Sequence, residues 1–418
     1  MKHQSKAPRA PLPAILALVG LSCTQAHADV PTYDVEIIAP FTSTTTVLGA
    51  SEAGHLVGWQ TQDGQVRGYV ARAGAGLTLL PLPAGYASSA AMDVNSAGVV
   101  VGAVAVGGFP FDGGEPAIWT PDGSGGYVVH IPEQFQTLPS PIGTLSINGG
   151  MAVAINESGT VVGWSRYQGF QGGPSTQFSI NAPPVNLAAL GFNERAEDIN
   201  ARGVVVGGGQ TLDLNSGVVT DLGIPASLNG VGFTMVLGYA INDDGQVIAA
   251  AARATSGNEV WMTYRHEPDS GWSPVNPSQI PTRFVGLTYD NNNAGDISAA
   301  GGIYFAAEDH LAFGYSTLLD PAYTDWTVAI GYMSNDRSVY ATALNTATGE
   351  SALVALIPQA GTCDADVNGD GSLNFFDVSG FLDLYNTGDP AADLSAPFGE
   401  LNFFDVSAYL ASYNAGCP

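Results

Sequence analysis

Short apolar runs in this chain break at a recurring polar turn. Between Val30 and Pro358 the phrase is apolar, apolar, Asn, x, x, Gly, x, Val, Val, Gly, complete at Val94–Gly102, Ile155–Gly163 and Ile199–Gly207. Partial copies start at Ser51, Ile241, Asn292 and, most degenerate, Ser334, where Arg337 stands in the glycine position. Asn first and Gly fourth are the favoured ends of a type I turn, with the Asn side chain bonding its own backbone. β-branched residues on both sides make the phrase strand, tight turn, strand. A second hairpin follows in several units. One runs Pro116–Thr120, turn Pro121–Gly126, Tyr127–Ile131; another runs Glu259–Tyr264, turn Pro268–Gly271, Trp272.

The lead positions 51, 95, 156, 200, 242, 292 and 334 are 44, 61, 44, 42, 50 and 42 residues apart. Two hairpins in each of seven such units predict a mainly β fold of four-stranded blades, a seven-bladed propeller. Tyr33–Ile38 before the first phrase and Ser351–Ile357 after the last are placed to pair and close the ring. The rival is an open β-solenoid, which the uneven spacings disfavour. Glycine-rich tips at Val106–Gly114 and Tyr167–Pro174 lengthen loops around units two and three, either as a place to build binding or as plain surface insertions.

The pattern changes at the C-terminus. Leu373–Tyr385 recurs 28 positions later as Leu401–Tyr413, with apolar residues at helical spacing. Ahead of the first copy, Asp366, Asn368, Asp370, Asn374 and Asp377 fall at loop positions 1, 3, 5, 9 and 12, with Gly371 at position 6, where the chain must turn through φ > 0. This is an oxygen cage for Ca²⁺, to which Ser372 adds its backbone carbonyl. The second loop keeps Asp393, Ser395, Asn402 and Asp405, but Pro397 and Phe398 stand where a third early ligand belongs, so a second calcium is open. The stripe Phe375, Val378, Leu382, Tyr385 and its copy Phe403, Val406, Leu410, Tyr413 is enough to pack the helices. One Phe of each pair is then core, leaving Phe376 and Phe404 outside as partner anchors; the alternative is that both pad the core.

A calcium loop followed by one helix, duplicated, resembles a dockerin over Cys363 to Pro418. The closing Gly416-Cys417-Pro418 and the Phe-Phe-Asp core are similar to GC-type dockerins of secreted planctomycete proteins. That resemblance implies a protein receptor, cohesin-like or another envelope protein. The phrase units resemble HAF-type repeats of bacterial extracellular proteins, with Ala117-Ile-Trp119 near the second half of that pattern. Because dockerins often accompany carbohydrate-active enzymes, a polysaccharide ligand or substrate is implied by association only.

Residues 1–28 read as a secretory signal: Lys2, Lys6 and Arg9, then the apolar Ala14–Leu21, then Ala26-His27-Ala28. No run is long enough for a transmembrane segment. The organisation expected is signal 1–28, propeller 29–358, linker 359–362 and dockerin-like domain 363–418. Losing the three basic leader residues leaves nine of twelve, all Arg, against 38 acidic residues. Such a surface repels nucleic acid and anionic lipid. Cys363 and Cys417 bracket the tail. In an oxidising compartment one disulfide is the natural reading, worth roughly 4 kcal/mol, with two free thiols the alternative. His55, His130, His266 and His310 fall in different units with no second histidine or cysteine at ligand spacing, and no nucleophile elbow, P-loop or zinc-protease motif occurs. The first expectation is a secreted, non-enzymatic repeat protein displayed through its tail. The second is a polysaccharide-binding or polysaccharide-degrading protein.

Overall fold

The computed structural model describes residues 30–418 except 141, 171, 227–231, 254–259, 276–288, 300–301, 309, 360–364, 369–372, 396–400 and 416–418. The leader 1–28, Asp370, Ser372, Cys363 and Cys417 therefore lie outside the described residues. Contacts divide the chain into one compact unit over Asp29–Gly361 and a second that contains Thr362–Pro418.

The first unit is a seven-bladed propeller of separate antiparallel sheets, six of four strands and one of five. A solenoid would run its sheets on from repeat to repeat, so that rival is excluded. Each phrase is the hairpin between the first two strands of a four-stranded blade, as in Ser88–Val94 with Val100–Ala105. In the five-stranded blade, Thr137–Ser140 precedes that hairpin, which is Gly143–Ile155 with Val161–Tyr167. The last blade joins Trp326–Met333, Val339–Asn345 and Ser351–Pro358 to the N-terminal strand Tyr33–Phe41, which pairs Tyr33 with Pro358 and Phe41 with Ser351. The ring is thus closed by both ends of the repeat region, as the sequence implies. Gln359, expected in the linker, belongs to this closure: its N–H donates to Thr32 O (2.8 Å) and its amide to Asp34 (2.9 Å).

The phrase asparagine does more than cap its own turn. Asn200 is buried, accepts the Val204 N–H at Oδ1 (2.9 Å) and donates Nδ2 to Asn242 O on the next blade (2.9 Å). Asn95, Asn156 and Asn242 repeat both bonds toward Asn156, Asn200 and Asn292. The following residue builds a second ring. Ala201 N–H donates to Asp243, Asp243 N–H to Asn293, Asn293 N–H to Asn335, and Asn335 N–H to Glu52, joining the last unit to the first. Asn200→Ala strands the part-buried Val204 N–H and removes one of two donors from the Asn242 carbonyl, which keeps the Gly245 N–H, so it should cost about 1–3 kcal/mol. Chemical denaturation would read that loss directly.

Blade packing uses the tryptophans. Trp119 is fully buried and its indole donates to Pro81 O on the preceding blade (2.9 Å). Trp272 likewise reaches Leu222 O (2.7 Å).

Candidate functional site

In the C-terminal unit two helices, α1 (Phe375–Thr387) and α2 (Phe403–Ala415), each leave an acidic loop. Asn374 caps α1, its Oδ1 accepting the Phe376 N–H (2.8 Å). Asp377 returns the favour, accepting the Asn374 N–H at Oδ2 (2.8 Å) and the Asn368 N–H at Oδ1 (3.3 Å). This capping box locks loop to helix. In the copy, Asn402 accepts the Phe404 N–H (2.8 Å), and Asp405 accepts from Asn402 (2.6 Å) and Ser395 (2.9 Å). The second loop is one residue longer between these donors and its carboxylate, yet it delivers the same pair of N–H groups.

Asp377 and Asp405 have no exposed surface. Backbone N–H donors, from Asn374 and from Asn402 first, hold both carboxyls below the usual aspartate range. They are ionised and aimed before any cation arrives. Asp366 lies beside Asp377, and Ser395 beside Asp405. The described donors Asp366, Asn368, Asn374 and Asp377 offer oxygen only, which fits a hard cation such as calcium. Asp393, Ser395, Asn402 and Asp405 offer the same chemistry with one early donor fewer.

The helix faces differ from the apolar stripe expected. Phe375 and Phe403 are 76% and 75% exposed, and Phe376 and Phe404 71% and 64%. Leu382 and Leu410 are also exposed. The core is instead Phe381 stacked on Tyr409, centroids 4.0 Å apart and planes within 6°, ringed by Val378, Leu384, Tyr385, Val406 and Tyr413. The cause is the capping box. Asp377 must face inward to receive the loop N–H groups, so Phe381 one turn on and Leu384 two turns on share its face. Phe375 and Leu382 then turn outward with Phe376.

On the propeller, three of the four histidines sit in local pairings: His55 with Ser51, His130 with Thr120, His266 edge-on to Trp272. The glycine-rich tip Val106–Gly114 carries Phe109, which packs edge-on to Trp59 (5.3 Å) and against Phe111 (4.7 Å). Arg166 ties that tip to the third blade, donating to Asp112 O (2.6 Å) and Asn148 O (2.8 Å). Nearby in the ring, Arg195 stacks on Trp164 (4.9 Å) and pairs with Glu197 (3.3 Å). Burial raises the Glu197 carboxyl above its ordinary range, against the pull of Arg195. The glycine-rich tips stand out in the sequence; this arginine–carboxylate pair does not.

No protein-family model matches the chain, and no curated protein matches it. Among solved structures it is similar to the GH74 xyloglucanase from Xanthomonas campestris, at 11% identity and a TM-score of 0.30, over 74% of this chain and 53% of that one. It is also similar to native Bacillus subtilis arabinanase Arb43A, at 10% identity and a TM-score of 0.25, over 77% and 94%. The chain spans about half the length of the xyloglucanase. Superpositions this loose bear on neither substrate nor chemistry. Among the described residues no helix is long and apolar enough to cross a membrane.

Proposed function

We propose that this is a secreted, non-enzymatic propeller displayed at the cell envelope through a calcium-dependent, dockerin-like tail. The observation that carries it is the paired helix start. In both copies a carboxylate is buried at the loop while two adjacent phenylalanines are left in water. Exposed aromatic pairs cost solubility, and their repetition at equivalent positions fits a surface meant to be covered. Calcium, when bound, would add charge neutralisation and rigidity to the loops. Asp366, Asn368, Asp370, Asn374 and Asp377 would hold it in the first loop, with the Ser372 carbonyl. Asp393, Ser395, Asn402 and Asp405 would hold a second. A Cys363–Cys417 disulfide would tie the ends of the tail, and the leader 1–28 would deliver the chain to an oxidising compartment.

Calorimetry on the mature chain tests the metal. Calcium should bind at one strong site, which Asp377→Ala abolishes, with any second site surviving that change. Heat no greater than dilution would end the calcium reading.

The second reading is a polysaccharide-binding or polysaccharide-degrading propeller. It is favoured by Phe109 and Phe111 of a glycine-rich tip packing with Trp59 of the strand His55–Gln62, and by the raised Glu197 carboxyl. Retardation on a panel of immobilised glycans, lost in Phe109→Ala, would support it.

A further inference from the structure

Two residues before each phrase lead, small and acidic residues alternate over the first six units, Gly49, Asp93, Ala154, Asp198, Ala240 and Asp290, and the seventh has Tyr332. Each aspartate crosses to the next blade. Asp93 accepts its neighbour Val94 N–H (2.7 Å) and, across the junction, Ile155 N–H (2.8 Å). Asp198 does the same with Ile199 (2.7 Å) and Ile241 (2.8 Å), and Asp290 accepts Met333 N–H (3.0 Å). The receiving strands shift register close by, at Ala152/Ala154, Gly238/Ala240 and Val328/Gly331. A bulge leaves backbone N–H groups without a ladder partner, and these carboxylates supply one.

All three aspartates also line one cavity, to which every blade contributes a residue. Its other polar lining is Glu197, Tyr239 and Tyr332, with no basic side chain among the lining residues. Glu52 and Asp243 add negative potential from the turn ring, and Tyr69 and Tyr315 stand near Tyr332.

We propose that Asp93, Asp198 and Asp290 form a proton-dependent clamp on the ring. Each bridges a blade junction, but three carboxylates facing one cavity whose lining holds no basic side chain oppose one another when all are ionised. The Arg195 cation is paired with Glu197. The junctions are therefore tightest when the cavity carries protons. A protonated oxygen still accepts an N–H while its own hydrogen turns into the cavity, so the bridge survives protonation. Burial supports the direction: it pushes Asp93 up to about 8, Asp290 to about 7 and Asp198 to about 6, with charge from neighbouring carboxylates adding to each. Folded values above the ordinary aspartate range mean stability that is complete below about pH 4 and lost as pH rises through 6, 7 and 8.

The test is thermal melting of the full mature chain at fixed calcium, followed by tryptophan fluorescence. Trp59, Trp119, Trp164, Trp261, Trp272 and Trp326 all lie in the propeller, so the signal reports the ring alone. The midpoint should fall by about 10 °C between pH 5 and pH 9. Asp93→Asn should melt lower at pH 5, because an amide nitrogen cannot accept the N–H, yet fall less steeply with pH. A level midpoint in the parent, or an equally steep fall in the variant, would overturn the clamp. A second reading needs no variant. Infrared spectra of the parent should show a protonated-carboxyl band at pH 6 that is gone by pH 9, and absence of that band overturns the proposal as well.

Discussion

Arg337→Ala should destabilise the propeller by about 3–5 kcal/mol, the largest single-residue loss expected in the ring. Arg337 occupies the turn position that the other units fill with glycine, or in the first unit with Gly54, and it holds φ at +67° where those glycines hold +76° to +83°. Left-handed backbone is costly for a residue with a side chain, so something must offset it. The guanidinium donates to Asp296 (2.8 Å) and Glu308 (3.0 Å), whose side chains are 0% and 2% exposed, and lies 5.4 Å from the centre of the Phe305 ring. Those contacts cross from the seventh blade to the sixth. Removing the cation leaves two buried carboxylates without a counter-charge, Asp296 keeping the neutral donors of Asn292 and Ala306. Arg337→Gly separates the effects: it relieves the backbone, yet should still lose most of the stability. Urea unfolding of the three proteins checks the order, parent above Arg337→Gly above Arg337→Ala. Equal stability of the parent and Arg337→Gly would show that the ion cluster contributes nothing net.

Phe376→Ala with Phe404→Ala should weaken receptor binding about a thousandfold while calcium binding and melting of the tail stay unchanged. Two aromatic anchors at about 2 kcal/mol each account for that factor. Neither residue touches the Phe381–Tyr409 core, so truncation opens no cavity. Phe375 and Phe403 share the exposed helix starts, so substituting them as well should extend the loss. Unfolding of the tail in the double variant would contradict the exposed placement.

How far the sequence carried depends on the range of each interaction. The hairpin turn is written in four consecutive residues, and the chain shows seven copies of it, so blade number and ring closure were legible. The oxygen side chains at Asn374, Asp377, Asn402 and Asp405 were legible for the same reason, but their capping of the helices was not. Nor was the helix face that turned inward. The stripe read from periodicity was Phe375, Val378, Leu382 and Tyr385; Asp377 turning toward its loop brought Phe381 into the core and put Phe375 and Leu382 in water. The Asn200-to-Asn242 bonds and the Asp93 and Asp198 bridges join residues 42 to 62 apart, and no local pattern announces them. A trace was present in the acids at alternate units, readable only once the repeats are aligned. Arg337 was visible as a broken phrase; its compensation by Asp296 and Glu308 was not.

Docking through the tail is tested directly by immobilised full-length mature chain washed with envelope proteins of the producing cell. One protein should be retained in calcium, released by chelation and missing from the Phe376→Ala, Phe404→Ala column. Retention that ignores both calcium and the phenylalanines, or no retention at all, would contradict it.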